Sequence, residues 1–195
     1  MENISSTNEK KKPREKVDGA RIDFRRLSDD CQWDAFSCGY VYIDDFFRRL
    51  ALDEHNAFST RVMTAHIDGG IQPVAFYAMH IISEPASYYA SDQGFLAFFK
   101  SKFMMGVLHS VELKWMAVAS EWQRRGIGSL LMGRALDDFH EVAIRTGVSA
   151  LTVHPISSNA RIFYGSLGFQ PYGAKSERMY LAHGHFVRYL TEANF

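Results

Sequence analysis

Cysteine is scarce in this chain of 195 residues, with only Cys31 and Cys38 present. Two thiols make neither a disulfide framework nor a zinc-ligand spacing, so both are expected as small buried hydrophobes, and no metal site is expected. A net charge is also missing, since Lys plus Arg and Asp plus Glu number 22 each. Overall charge therefore neither favours nor disfavours nucleic acid, and only a local basic patch can serve such a partner. No apolar run approaches the length of a membrane-spanning helix, and no signal-peptide pattern opens the chain. The expected compartment is the reducing cytoplasm, with no membrane partner. Internal repeats are absent. Apolar side chains, in contrast, are plentiful: 47% of residues are hydrophobic and 14% aromatic, enough at this length for one domain with a sizeable core.

Residues 1–19 are polar, with Lys10-Lys11-Lys12-Pro13-Arg14, and predict a disordered basic tail. A single domain is expected over 20–195. Residues 20–27 (ARIDFRRL) alternate as a strand does. Trp33 to Gly39 reads as a structured turn. Ile43, Phe46, Phe47, Leu50 and Ala51 fall on one face of a helix predicted over 41–56, with Arg48 and Arg49 towards the other side. Residues 60–67 and 71–82 predict a β-hairpin turned by Asp68-Gly69-Gly70. Pro73 has no N–H and belongs near the start of the second strand. Glu84-Pro85 is expected to end it. Residues 94–105 (GFLAFFKSKFMM) carry apolar side chains at helical spacing and suggest a Phe/Met-rich helical insertion near 93–106. Phe95, Phe98, Phe99, Phe103 and Met104 read either as core packing or as a lid or partner surface.

The rest of the chain is organised around 111–131. An apolar run, Val111 to Val118, has strand character. A polar break follows, and then Gln123-Arg124-Arg125-Gly126-Ile127-Gly128 leads into an amphipathic helix predicted over 125–146 and stopped by Gly147. A strand, a glycine turn and a helix N-terminus in that order form an anion site, because the first helical amides have no internal partner and the helix dipole is positive there. The P-loop pattern is absent, and Leu131 stands where a dinucleotide-binding fingerprint needs its third glycine. Residues 148–154 predict a further strand, ended by Pro155. Ser157 or Ser158 caps a helix carrying Asn159 and Tyr164. Gly168-Phe169 then leads to final strands near 169–173 and 177–182. In His183-Gly184-His185 the sequence shows no third metal ligand.

The run Gln123 to Gly128 after a hydrophobic strand resembles the Q/R-x-x-G-x-G/A signature of the GCN5-related N-acetyltransferases (GNAT). Asn159-Ala160-Arg161-Ile162-Phe163-Tyr164-Gly165-Ser166-Leu167-Gly168-Phe169 resembles a second box of that family. The resemblance implies an α/β fold, the GNAT fold: a mixed, mostly antiparallel central sheet flanked by helices, with its central strands splayed at one end. It implies acetyl-CoA as co-substrate. The diphosphate would lie on Gln123, Arg124, Arg125, Gly126, Ile127, Gly128 and Ser129. The pantetheine arm would bond along Met116, Ala117 and Val118, with Asn159 and Phe163 beside it. Tyr164 matches the family's general acid, which protonates the departing thiolate; a tyrosine is protonated at neutral pH and suits that task. Glu112 matches in place the general base of some protein-acetylating relatives. Its other readings are a solvent-facing carboxylate or a partner of Lys114 or of an arginine. His109 and His154 read as proton relays near the splayed ends or as ordinary core or surface histidines.

The N-terminal half narrows the resemblance. Phe36-Ser37-Cys38-Gly39, then Ile43 to Ala51, then Arg61-Val62-Met63 are similar to the acetyltransferase toxins of bacterial toxin–antitoxin pairs, over roughly residues 20–180. That similarity implies acetylation of the α-amine on charged tRNA, a ribbon-helix-helix antitoxin as partner, and a homodimer. The chain departs from the subgroup in carrying segment 93–106 in place of a proline-rich stretch before the central strand. Arg48, Arg49, Lys114, Arg124 and Arg161 are the candidates for a basic surface. Two alternatives stand beside this reading: an acetyltransferase acting on a protein or small-molecule amine, and a non-catalytic acyl-CoA-binding module.

Overall fold

A computed structural model describes residues 15–85, 106–171 and 177–184 of the chain. The strands are β1 (Glu15–Val17), β2 (Ala20–Arg26), β3 (Arg61–Ile67), β4 (Pro73–Pro85), β5 (Val107–Val118), β6 (Ala150–Val153), β7 (Gln170–Pro171) and β8 (Met179–Ala182). They form one sheet in the order β1-β2-β3-β4-β5-β6-β8-β7. Every pairing is antiparallel except that of β5 with β6. The helices are α1 (Val41–Arg49), α2 (Ala51–Asn56), α3 (Ile127–Thr146) and α4 (Ser158–Ser166). None among the described residues is long and apolar enough to cross a membrane.

Strand alternation divides the core into two layers. Tyr77, Met79, Val111 and Leu113 pack with Ile127, Leu131 and Phe139 of α3 and Tyr164 of α4. Phe76, Ala78 and Ala117 pack with Phe36, Phe46 and Phe47 around α1. Phe47 stacks on Phe76 at 4.1 Å between centroids. Between Ala78 and Met79 the β4–β5 register slips, so that Lys114 has no partner while Leu113 and Trp115 do. This bulge changes which side chains face which layer. Before it, Val111 and Leu113 face the α3 layer; after it, Met116 and Val118 do, and Trp115 and Ala117 turn to the α1 layer.

Several expectations are met for the physical reasons given. Pro73 opens β4. Gly147 ends α3 at φ 76°, its N–H bonded to Ala143 O at 2.8 Å. Ser157 Oγ accepts from the Ala160 amide at 3.1 Å and caps α4.

Four boundaries are corrected. Glu15–Val17 is a strand, so the ordered domain starts before residue 20: Asp18 and Gly19 turn at positive φ and bring Val17 into the core. Residues 1–14 lie outside the described residues. The helix over 41–56 is broken at Leu50 (φ −118°, ψ −27°), and Leu50 is exposed rather than on the apolar face. Glu84-Pro85 does not end β4, because both residues pair with β5, as Glu84↔Leu108 and Pro85↔Val107. Finally, α3 starts at Ile127, since Arg124 (φ 61°) and Gly126 (φ 85°) are left-handed and cannot belong to a right-handed helix. The proposed helix 94–105 also lies outside the described residues.

Candidate active site

Strands β5 and β6 pair at three positions only, Val111↔Leu151, Glu112↔Thr152 and Leu113↔Val153. β6 then stops, because His154-Pro155 follows and proline has no N–H to continue a ladder. β5 runs on to Val118, held by β4 alone. The Ala119 amide reaches Val74 O on β4 at 2.8 Å. By alternation the Ala117 backbone faces β4 as well, and those of Met116 and Val118 face the side that β6 has left. The Gln123 side chain confirms the direction, donating to Val118 O at 3.0 Å.

A cavity of about 280 Å³ occupies this gap. Its walls are the edge of β5, the turn from His154 to Ser157, the inner face of α4, and the start of α1 with Cys38, Tyr40 and Ile43. Of the candidate residues, Met116, Ala117, Val118, Gln123, Phe163 and Tyr164 line it. Tyr164 is buried, its ring in contact with those of Phe163 and Phe169, each at 5.4 Å. Burial alone pushes its pKa up to about 12, so the phenol keeps its proton across the physiological range. Ala117 contributes its side chain only, since its backbone is turned to β4.

The loop before α3 carries the other candidates. Gly126 is the N-cap, with no side chain capping the helix. Ile127 and Gly128 open the helix, so their amides have no carbonyl a turn below. The Ser129 amide already donates to Gly126 O at 3.1 Å. Arg124 is exposed. Arg125 lies over the Trp122 ring at 4.8 Å and 3.7 Å from Asp18. A Cβ on Gly128 would come 4.0 Å from Val118, an ordinary contact between the helix end and the strand edge.

Of the other candidates, Lys114 and His154 line the cavity, and Glu112, Asn159 and His109 do not. Glu112 pairs with His80 Nε2 at 2.7 Å and lies 3.5 Å from Arg178. Burial pulls its pKa up, but the hydrogen bond from His80 and the charge of Arg178 outweigh that and hold it below the usual carboxylate value. Of the readings open for Glu112, the structure shows the pairing with an arginine. Lys114 is taken by Glu54 at 2.8 Å. Asn159 is exposed in the first turn of α4 and does not line the cavity. His109 bonds Ser83 Oγ at 2.8 Å, away from the cavity, whereas His154 lines it and is 3.6 Å from Glu177. The candidate basic residues are largely engaged: Arg48 donates to Phe36 O, and Arg161 to Glu177 O.

One organising residue was not singled out from the sequence. Asp44 is a buried carboxylate in the first turn of α1. It accepts from the Cys38 amide at 2.8 Å and from Ser37 Oγ at 2.9 Å. Burial raises its pKa, but these donors and Arg48 outweigh burial and lower it. Asp44 thus shapes the 37–40 turn. Gln123 Nε2 ties that turn to the strand edge, donating to Cys38 O at 2.9 Å and to Val118 O. An acidic residue in the first helical turn, after a short Ser-Cys-Gly turn, was the available signal. His140 Nδ1 meets His183 Nε2 at 2.9 Å, and among the described residues no group of three or more His, Cys, Asp or Glu could hold a metal ion.

The pattern of the acetyltransferase (GNAT) domain matches residues 70–171. A tRNA-acetylating toxin of Mycobacterium tuberculosis is 30% identical over 146 residues, 75% of this chain and 82% of that protein. Among solved structures, AtaT complexed with acetyl-methionyl-tRNAfMet has a TM-score of 0.74 at 19% identity, over 87% of this chain and 99% of the other. AtaTR bound with AcCoA has a TM-score of 0.68 at 19% identity, over 88% of this chain and 98% of the other.

Proposed function

The chain belongs to the GNAT acetyltransferase family, and on that premise we propose that it transfers acetyl from acetyl-CoA to the α-amine of the amino acid on a charged tRNA, as the toxin of a toxin–antitoxin pair. The observation that carries this reading is the buried phenol of Tyr164 lining the gap where β5 and β6 part, together with a backbone edge that no strand among the described residues occupies. The similarity to a tRNA-acetylating toxin supports the choice of acceptor.

The residues present fit the donor. The Met116 backbone and the Val118 amide face the gap, where an amide-bearing arm lies as an added strand, while Val118 O is held by Gln123. The amides of Ile127 and Gly128, with the exposed Arg124 beside them, suit a diphosphate. Acetyl-CoA supplies the thioester. The acceptor nitrogen forms the new C–N bond and releases one proton to solvent, the C–S bond breaks, and Tyr164 gives its proton to the sulfur and regains one from solvent. The low-polarity surroundings that raise the phenol's pKa also raise that of a thiolate expelled beside it, so the transfer stays near balance. An α-amine, with a pKa of about 8, needs little help to be neutral at pH 7, and this fits a cavity with no carboxylate among its described lining residues. Glu112 keeps its ion pairs and acts in positioning rather than as the base. The proposed setting is the cytoplasm, and the proposed partners are charged tRNA, a ribbon-helix-helix antitoxin encoded alongside, and a second copy of the chain.

The test is transfer of labelled acetyl to bulk charged tRNA, measured beside transfer to protein and to small amines. The reading requires charged tRNA to be the preferred acceptor, and expression to arrest growth unless Tyr164→Phe is introduced. Preferred labelling of protein or small amines without growth arrest would replace it with the general acetyltransferase reading.

A further inference from the structure

A second cavity, of about 470 Å³, adjoins the first. Lys114 at the bulge and Trp115 next to it line both. The second is walled by Tyr42, Phe46, Leu50 and the Trp115 indole, and rimmed by Arg49, Asp45 and Glu54. Two of its apolar walls stand in water: Tyr42 is 84% and Leu50 52% exposed. Exposed large apolar side chains grouped along a cavity mark a binding surface. The neighbouring Trp115 packs against Phe46 at 5.8 Å, and its Nε1 is buried without a hydrogen-bond partner.

We propose that this cavity is the stacking shelf for the terminal nucleoside base of the acceptor, held against Tyr42 and Trp115. The proposal rests on the aminoacyl-tRNA reading and adds to it where the nucleoside end of that acceptor lies. Three observations select the occupant. The two cavities share Lys114 and Trp115 as a common wall, so the remainder of an acceptor whose amine enters the first lies within reach of the second. The rim is charge-balanced, with Arg49 3.8 Å from Asp45 and Lys114 2.8 Å from Glu54. A balanced rim favours a neutral planar group over a phosphate. Its carboxylates and cations also offer acceptors and donors to a base edge or ribose hydroxyls. Finally, the walls are aromatic, and an aromatic face binds any base by stacking, without reading its sequence.

The experiment compares two minimal acceptors that carry the same aminoacyl group: its ester to adenosine and its methyl ester. The wild-type chain should acetylate the adenosine ester with the higher kcat/KM. Loss of one aromatic stacking partner costs roughly tenfold. Tyr42→Ala should therefore cut the preference for the adenosine ester by about tenfold, with the KM for acetyl-CoA unmoved, and Tyr42→Trp should restore it. Tyr42 is so exposed that its removal leaves the core intact, which an unchanged melting temperature will verify. If charged tRNA is acetylated but Tyr42→Ala leaves the preference unchanged, the shelf is overturned and the acceptor reading stands. If Tyr42→Ala instead abolishes self-association or antitoxin binding with the preference unchanged, the occupant is a protein and the proposal fails. If neither adenosine ester nor charged tRNA is a substrate, the acceptor reading itself fails.

Discussion

Tyr164 and Asp44 illustrate two uses of a buried polar group. The phenol is kept neutral by burial, and in the proposed reaction its proton leaves only when negative charge appears beside it. Tyr164→Phe should lower kcat about a hundredfold or more while acetyl-CoA binding, measured by calorimetry, changes little, because the ring still fills its place. Asp44 is kept ionised by its donors. Asp44→Ala strands the buried Cys38 amide and frees the exposed Ser37 hydroxyl to water. It should cost about 2–3 kcal/mol of stability in denaturant unfolding, and should weaken donor binding by loosening the turn that Gln123 holds. Tyr164 was legible in the sequence because its motif places it. The role of Asp44 was not, because its hydrogen-bond donors lie outside α1 and only the fold turns them towards it.

Two glycines at the start of α3 serve different ends. Gly126 is left-handed with open space where a Cβ would stand, so Gly126→Ala pays only backbone strain, roughly 1 kcal/mol, and the cap shifts. Gly128 lies inside the helix with room for a methyl. Gly128→Ala should therefore match or exceed the wild type in stability, since alanine favours a helix by up to about 1 kcal/mol. Both variants should bind acetyl-CoA several-fold more weakly, because each moves the amides or the closeness of their approach. A melting curve beside a binding isotherm separates the two effects. The glycine loop was readable because it is local. The bulge at Lys114, which turns Trp115 towards α1 and Met116 towards the gap, was not, since it is a mismatch between two strands and appears in neither alone.

For the molecule as a whole, titration sets how stability varies with pH. His55, His66 and His183 have lowered pKa values, chiefly from burial, so the unfolded chain binds their protons first. Their contribution is complete above the unfolded value of about 6.5 and is lost as pH falls through the lower folded values. Asp44, Glu54 and Glu112 also have lowered values, so their contribution holds above about 4 and is lost in more acidic solution. Both steps have the same sign. The melting temperature should fall from pH 7 to pH 5, and again below pH 4, and Asp44→Asn should flatten the second fall.

The sequence by itself determined most of the periodic elements, the glycine turn before α3, the capped helix and the place of Tyr164 on it, because each depends on residues within a turn or two of one another. Only the tertiary structure decided that Glu112 pairs with His80 and Arg178, that Lys114 pairs with Glu54, and that two cavities share Trp115 as a wall. Those outcomes depend on which distant side chain reaches a group first, and that is settled by strand register and packing rather than by spacing along the chain.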